Sequence, residues 1–314
     1  MPWNERVARR LKLRDLQVFR VVVERGSMGK AANALFVSQP AISKAIVDLE
    51  YALGARLLDR TRQGVEPTQY GTALLKWSAI IFDNLRQGVE EIDFLADPTS
   101  GEVRIGSTDV MMSGLVPAVI DRLSRQFPRM TFKVLVASGT REQFHGLRAR
   151  SVDLILGRLL DVEAEEDLDV EILLEDYLRI VAGKGSKWHR RHKIDAAELI
   201  NEPWILPSYE TFIGSIVKEA FQSKGLEPPR ITVSSSSLQH YARLLATGRF
   251  LAARPASWLR LHGSSSSEKA LPIDLRFRSL NTGIVTLKGR PISPAAKLFI
   301  ECARKVMRPL AKLH

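Results

Sequence analysis

From position 38 the chain reads Ser38-Gln39-Pro40-Ala41-Ile42-Ser43-Lys44, a run of small polar and amide side chains at the start of a helical pattern. Ser38 suits a helix N-cap, and Pro40 fits a first helical turn, where its missing N–H has no partner to lose. Ile42, Ile46, Leu49 and Leu53 recur at spacings of 4, 3 and 4 and define one buried stripe. The opposite face then carries Pro40, Ser43, Lys44 and Val47, with Gln39 at the N-terminal tip. These groups suit hydrogen bonding to base edges. Gln pairs with an adenine edge, Ser with several bases, and Lys with guanine or phosphate. The alternative is a plain solvated helix face, and Lys44 taken alone fits that equally well.

Reading bases requires a scaffold that holds this helix by its other side. Leu13 to Glu24 predicts a helix with Leu16, Phe19, Val22 and Val23 on one face, ended by Gly26. Ser27 is placed to cap a short second helix whose Ala31, Ala32 and Leu35 face inward, and Phe36-Val37 forms a brief turn before Ser38. The pattern is a helix-turn-helix, whose second helix enters the major groove by its N-terminal end. Gly54 ends the third helix, and Leu57 to Thr68 predicts a short β-hairpin turning at Gln63-Gly64. Such a hairpin is a wing, and Arg60 and Arg62 sit on it where phosphates pass. Residues 1–68 hold 12 Lys/Arg against 7 Asp/Glu, a net +5 that favours a polyanion.

Residues 69–97 reverse the sign, with 2 basic and 5 acidic side chains, which argues against their lying on DNA. No proline interrupts Gln69 to Ala96, which predicts a helix about 40 Å long. Leu74, Ile81, Leu85, Val89, Ile92 and Leu95 form its apolar stripe, which needs a partner: a helix of another subunit, or the chain's own C-terminal domain. Asp97-Pro98-Thr99-Ser100-Gly101 breaks the helix and marks a domain boundary.

Beyond it, strand-like runs alternate with helical segments, the mark of an α/β domain. Strands are expected at Val103 to Gly106, Thr131 to Ala137 and Val152 to Gly157. Ile172 to Ala182 is strand-rich, with room for two strands and a crossing between subdomains. Further strands are expected at Trp204 to Pro207, Arg230 to Ser234, Phe250 to Ala253 and Gly283 to Lys288. Ligands in open α/β sheets bind at the C-terminal ends of strands. That rule selects Ser107-Thr108, Ser138-Gly139-Thr140, and Ser208-Tyr209 with Thr211, though capping a helix explains each Ser or Thr as well. Phe250 suits either the cleft or the core.

Residues 13–71 resemble the LysR-type transcriptional regulators. The resemblance rests on Gly26-Ser27, Ala31-Ala32, Leu35, Ser38-Gln39-Pro40-Ala41-Ile42-Ser43, Ile46, Leu49-Glu50, Gly54, Leu57, Arg60 and the close from Thr68 to Gly71. Met28 and Leu58 stand where many members carry Phe, and both remain apolar. The resemblance implies that Ser27, Ser38, Gln39, Pro40, Ser43 and Lys44 face DNA and that Arg60, with Arg62, lies on the wing. It further implies a dimerisation helix carrying Leu74, Ile81, Leu85, Val89 and Ile92, a homodimer or a tetramer built as a dimer of dimers, a palindromic promoter site, and RNA polymerase as a further partner. Ile105-Gly106, Leu115-Val116-Pro117, Phe127-Pro128, Gly139-Thr140, Leu147 and Val152-Asp153-Leu154 resemble the effector domain of the same family. That domain has the two-lobed α/β fold of type-2 periplasmic binding proteins, with a small-molecule effector in its cleft at the strand-end segments named above. Gly106 to Pro117 is similar to the branch regulating galactose-binding-protein and sugar-uptake genes, which points to a sugar. The net +9 of residues 98–314 points instead to a carboxylate, or marks only a solvated surface.

The expected organisation is a winged helix-turn-helix at 1–68, a linker helix at 69–97, and an effector domain at 98–314. Lobe I of that domain takes about 98–175 and 280–314, and lobe II about 176–279. A solute-binding or transport protein, and an enzyme with an appended DNA domain, are the competing classes. Against the first stand the winged domain and the absence of an apolar run after the basic residues of Met1 to Leu13. Against the second, no G-x-S-x-G elbow occurs, and Gly183-Lys184-Gly185-Ser186 has Leu178 where a phosphate loop needs its first glycine. His189 and His192 have no third metal ligand nearby in sequence, so no catalytic residue, metal or cofactor is expected. No membrane span is expected either, and the lone Cys302 fits a reducing cytoplasm.

Overall fold

The computed structural model describes residues 10–311 apart from 62–63, 137–141, 160–164 and 263–266. It divides into two units, one ending at Val89 and one beginning at Glu90.

In the first unit the apolar spacings produce three helices: α1 (Leu13–Arg25), α2 (Met28–Leu35) and α3 (Gln39–Leu53). Leu16, Phe19 and Val22 of α1 meet Ala31 and Ala32 of α2, and Ile42, Ile46 and Leu49 of α3, in one core. The two alanines let α2 lie close to its neighbours. Ser27 and Ser38 occupy the N-cap positions of α2 and α3 with extended backbone, but neither side chain makes the capping hydrogen bond expected of it.

The wing is β1 (Leu58–Thr61) paired antiparallel with β2 (Gly64–Pro67). Gly64 is already paired with Thr61, so it opens the returning strand and is not part of the turn. The reason is tertiary: Val65 N–H donates to the Gly26 carbonyl at 2.9 Å. A Cβ on Gly64, at φ 137°, would stand 2.3 Å from that oxygen. Only glycine permits this approach. Glu50 on α3 ties the wing to its helix, since its carboxylate accepts the Leu57 N–H at 2.7 Å and the Leu58 N–H at 3.3 Å.

Helix α4 (Gln69–Ala96) is a single run of 28 residues, as the unbroken apolar period predicts. Leu74, Leu75 and Phe82 pack against the core of the first unit.

The second unit contains two five-stranded sheets. The first uses β3 (Ser100–Ser107), β4 (Arg129–Val136), β5 (Leu154–Arg158), β6 (Leu168–Asp176) and, much later, β12 (Leu280–Leu287), in the order β4-β3-β5-β12-β6. The second uses β7 (Leu178–Gly183), β8 (Trp204–Leu206), β9 (Ile231–Ser234), β10 (Leu251–Pro255) and β11 (Glu268–Ala270), in the order β11-β7-β10-β8-β9. The strand-rich stretch does hold two strands. β6 closes one edge of the first sheet, and the chain crosses at Tyr177 to enter the second. Strands β3, β4 and β5 run parallel, as do β8, β9 and β10, so their C-terminal ends and following loops gather on one side of each sheet.

Between these strands lie α5 (Asp109–Met112), α6 (Leu115–Gln126), α7 (Glu142–Arg148), α8 (Phe212–Gln222), α9 (Leu238–Ala246), α10 (Ala256–His262) and α11 (Pro294–Ala311). Helices α6 and α11 cover one face of the first sheet through Val119, Leu123, Phe299 and Ala303. In the second sheet Trp204 lies fully buried, its ring edge-on to Phe221 of α8. Helix α10 adds a bond to the first lobe: Trp258 Nε1–H donates to Ser113 Oγ at 3.0 Å.

Candidate functional site

Two features of the described residues combine exposure with chemistry. The first is the outer face of α3. Ile42 (0% exposed), Ile46 (3%) and Leu49 (1%) lock one side of the helix into the core. Gln39, Pro40 and Lys44 stand exposed on the other side, with Ser43 half-buried and Val47 58% exposed between them. The Gln39 side-chain oxygen lies near Gly29 at the start of α2. Because Ser27 and Ser38 do not spend their hydroxyls on capping, neither is tied to the helix it precedes. Arg60 lies on β1 opposite Val65, and Arg62 falls outside the described residues.

Along α4, Ile81 (37%), Leu85 (48%), Val89 (50%) and Ile92 (67%) are exposed, and Leu95 continues the stripe at 78%. Leu74 does not belong with them. It is taken into the core of its own unit, because the first turns of α4 fold back on α1–α3.

The second feature is a cleft of about 440 Å³ in the C-terminal unit. Thr108 follows β3, Arg158 ends β5, Pro207 follows β8, Ser236 follows β9, and Arg254 lies in β10, so five strand ends meet at it. This is the place where parallel α/β sheets leave their loops free to hold ligands.

Of the residues expected here, Thr108 and Thr211 line the cleft. Ser138 and Thr140 fall outside the described residues. The other four are placed elsewhere. Ser107 is fully buried and donates to the Leu156 carbonyl at 2.6 Å, because β3 runs one residue further than expected and shares its inward face with Val103 and Ile105. Ser208 turns its hydroxyl to the Glu210 N–H. Tyr209 packs on the second lobe's core and donates its hydroxyl to the Pro229 carbonyl, and burial pushes that phenol up to about 12. Phe250 is a core residue with Tyr241 and Leu245. Tyr209→Phe is therefore expected to cost about 0.5–1.5 kcal/mol of stability in urea denaturation. Effector response should be unchanged, and an altered response would return Tyr209 to the site.

Sequence reasoning missed Arg158, Ser236, Tyr241 and Arg254. For Arg158 the signal was present, since the same strand-end rule that selects Thr108 reaches it after Leu154-Ile155-Leu156-Gly157. Ser236 was hidden in a serine run that reads as plain loop. The two arginines differ electrically. Arg254 is buried, paired with Glu268 by two contacts of 3.1 Å, and lies 4.5 Å from the rings of both Tyr241 and Trp258. Arg158 is half-buried and has no hydrogen bond or ion pair among the described residues. Burial lowers its pKa, and the field of Asp176 opposes that. Asp176 is itself engaged by the Tyr177 N–H at 2.8 Å, the Ser257 N–H at 3.1 Å and the Ser257 hydroxyl. Thr108 Oγ1 is buried without a hydrogen-bond partner among the described residues.

Residues 13–72 match the model of the bacterial regulatory helix-turn-helix protein, lysR family, and residues 96–308 match the LysR substrate binding domain. The HTH-type transcriptional regulator GbpR of Azospirillum brasilense is 31% identical over 305 residues, spanning 96% of this chain and 89% of its own length. A full-length OxyR variant from Pseudomonas aeruginosa superposes with a TM-score of 0.63 at 21% identity, over 94% of this chain and 95% of its own. CbnR in complex with its target DNA superposes at 0.61 with 20% identity, over 94% and 99% of the two chains. No described helix is long and apolar enough to cross a membrane. The N-terminal unit is thus a DNA-binding helix-turn-helix and the C-terminal unit an effector-binding domain, and the chain belongs to the LysR family of transcriptional regulators.

Proposed function

We propose that this regulator recognises a palindromic promoter site through Gln39 and Ser43, with Lys44 and the wing arginines Arg60 and Arg62 on the backbone. The observation that carries this reading is the split of α3 into a stripe fixed in the core and an exposed polar face at its N-terminal end. Such a helix presents its first turns rigidly to the major groove. Gln39→Ala is expected to weaken binding to the preferred site by roughly 1–3 kcal/mol, about tenfold or more, with little change on a scrambled duplex. Arg60→Ala should weaken both duplexes alike and reduce the salt slope by ~1. Fluorescence titrations at several salt concentrations separate the two. Equal losses on both duplexes for Gln39→Ala would remove it from the base-reading set.

The exposed stripe of α4 supports a homodimer, with a tetramer formed as a dimer of dimers. A small effector bound in the cleft, between two lobes joined at Tyr177, changes the DNA-bound geometry and so the contact with RNA polymerase. In this reading the protein acts in the cytoplasm by binding alone, without catalysis.

A further inference from the structure

We propose that the cleft takes a small monocarboxylate with an apolar body, its carboxylate seated on Arg158 and Thr108. This rests on reading the cleft as the effector site, and it concerns which chemistry the site accepts.

The polar groups facing the cleft are Thr108, Arg158, Thr211, Ser236, Tyr241 and Arg254. Three of them are already engaged. Thr211 Oγ1–H donates to the Ser208 carbonyl at 2.6 Å and its oxygen accepts the Gly214 N–H at 3.2 Å. The Tyr241 hydroxyl donates to the Ser235 carbonyl at 3.3 Å. Arg254 is neutralised by Glu268 and held between two rings. Arg158, the Thr108 hydroxyl and the Ser236 hydroxyl are left with no hydrogen bond among the described residues.

A guanidinium carries five N–H donors in a planar fork, and leaving such a group partly desolvated without an acceptor is costly. A carboxylate matches that fork with two oxygens and returns the charge that burial disfavours. Asp176 cannot do this, because its oxygens already accept from Tyr177 and Ser257. The buried Thr108 hydroxyl supplies one further donor.

The rest of the described lining is apolar, including Val110, Leu178, Pro207, Phe212, Ile213 and Leu238. A neutral sugar carries hydroxyls around its ring, each needing a partner once desolvated. Among the described residues no Asn, Gln, Asp or Glu lines the cleft to provide them. A dicarboxylate would bring a second charge, and among the described lining residues there is no second uncompensated cation to meet it. The chemistry that remains is one anionic end, one hydrogen-bond acceptor for a hydroxyl, and an apolar body. A volume of about 440 Å³ accommodates a single ring or a short branched chain.

The test uses the full chain in thermal shift and calorimetry against matched probes: benzoate with benzamide, 3-methylbutanoate with its amide, and galactose with galacturonate. The expected result is binding by a carboxylate of the apolar pairs and not by its amide. Arg158→Gln should weaken that binding roughly 10–100-fold and Arg158→Lys by less, because lysine keeps the charge but not the fork. Val110→Trp, which fills the cleft, should abolish it. An amide binding as tightly as its acid, galactose binding where no acid does, or full affinity in a folded Arg158→Gln would overturn the carboxylate. If Val110→Trp still blocked binding in those cases, the cleft would stand as the effector site. Binding untouched by Val110→Trp would overturn the cleft itself.

Discussion

Asp153→Ala is expected to destabilise the C-terminal unit by about 3–5 kcal/mol, a large share of the stability of an ordinary domain. The side chain of Asp153 is 5% exposed and lies between two arginines. Arg104 Nη2 is 2.7 Å from its Oδ1 and Arg290 Nη2 is 3.0 Å from the same atom. Asp153 Oδ2 also accepts the Arg104 backbone N–H at 2.9 Å, and Arg290 donates to the Val152 carbonyl. These bonds fasten the loop before β5 to β3 and to the chain just after β12. With the carboxylate gone, two guanidinium groups lose the counter-ion they share. An isolated buried charge costs more than a well-made pair returns, so the loss far exceeds that of a surface ion pair. Urea denaturation followed by tryptophan fluorescence should show the midpoint for this unit fall by at least ~1 M. A fall of only a few tenths of 1 M would mean that the two arginines find water or other acceptors, and that the network does not anchor the loop.

The second large effect is on assembly. Ile81→Glu with Leu85→Glu should convert the oligomer to monomers without unfolding the first unit. Both side chains are exposed, at 37% and 48%, whereas Leu74, Leu75 and Phe82 carry the packing of α4 on its own domain. Placing two carboxylates on each side of a helix–helix seam would force at least four charges together in a desolvated interface. Loss of pairing also removes the bivalent hold on a two-fold DNA site, so affinity for that site should fall by about 10²-fold or more. Light scattering and duplex titration read the two consequences separately. Unchanged mass would show that the stripe of α4 does not pair the subunits.

Much of the N-terminal unit was legible because its signals are local. The spacing of Ile42, Ile46 and Leu49 and the glycines at 26 and 54 place α1–α3, and the unbroken run before Pro98 gives α4 its full span. Gly64 was expected in the wing turn but stands in the returning strand, because its register depends on Gly64 resting against the Gly26 carbonyl, a contact distant in sequence. In the C-terminal unit, alternation along β3 explains Ser107: it has the parity of Val103 and Ile105, and so points into the core. The helix α10 gave no periodic signal, being seven residues long and fastened by Asp176 to the Ser257 N–H from 81 positions away. The cleft is built from five strand ends, and no local pattern reports which of their side chains have already found partners inside the fold. Arg158 and Arg254 look alike in sequence, and contacts made far along the chain, Glu268 and the rings of Tyr241 and Trp258 about Arg254, distinguish them.

The most direct test of DNA recognition by α3 is selection of random-sequence duplexes by the full chain, in parallel with Gln39→Ala, followed by sequencing of the bound pools. Wild type should enrich a motif with two-fold symmetry, and Gln39→Ala should lose preference at one position in each half-site while keeping the rest. An unenriched wild-type pool, or identical motifs from both proteins, would contradict recognition through this face of the helix.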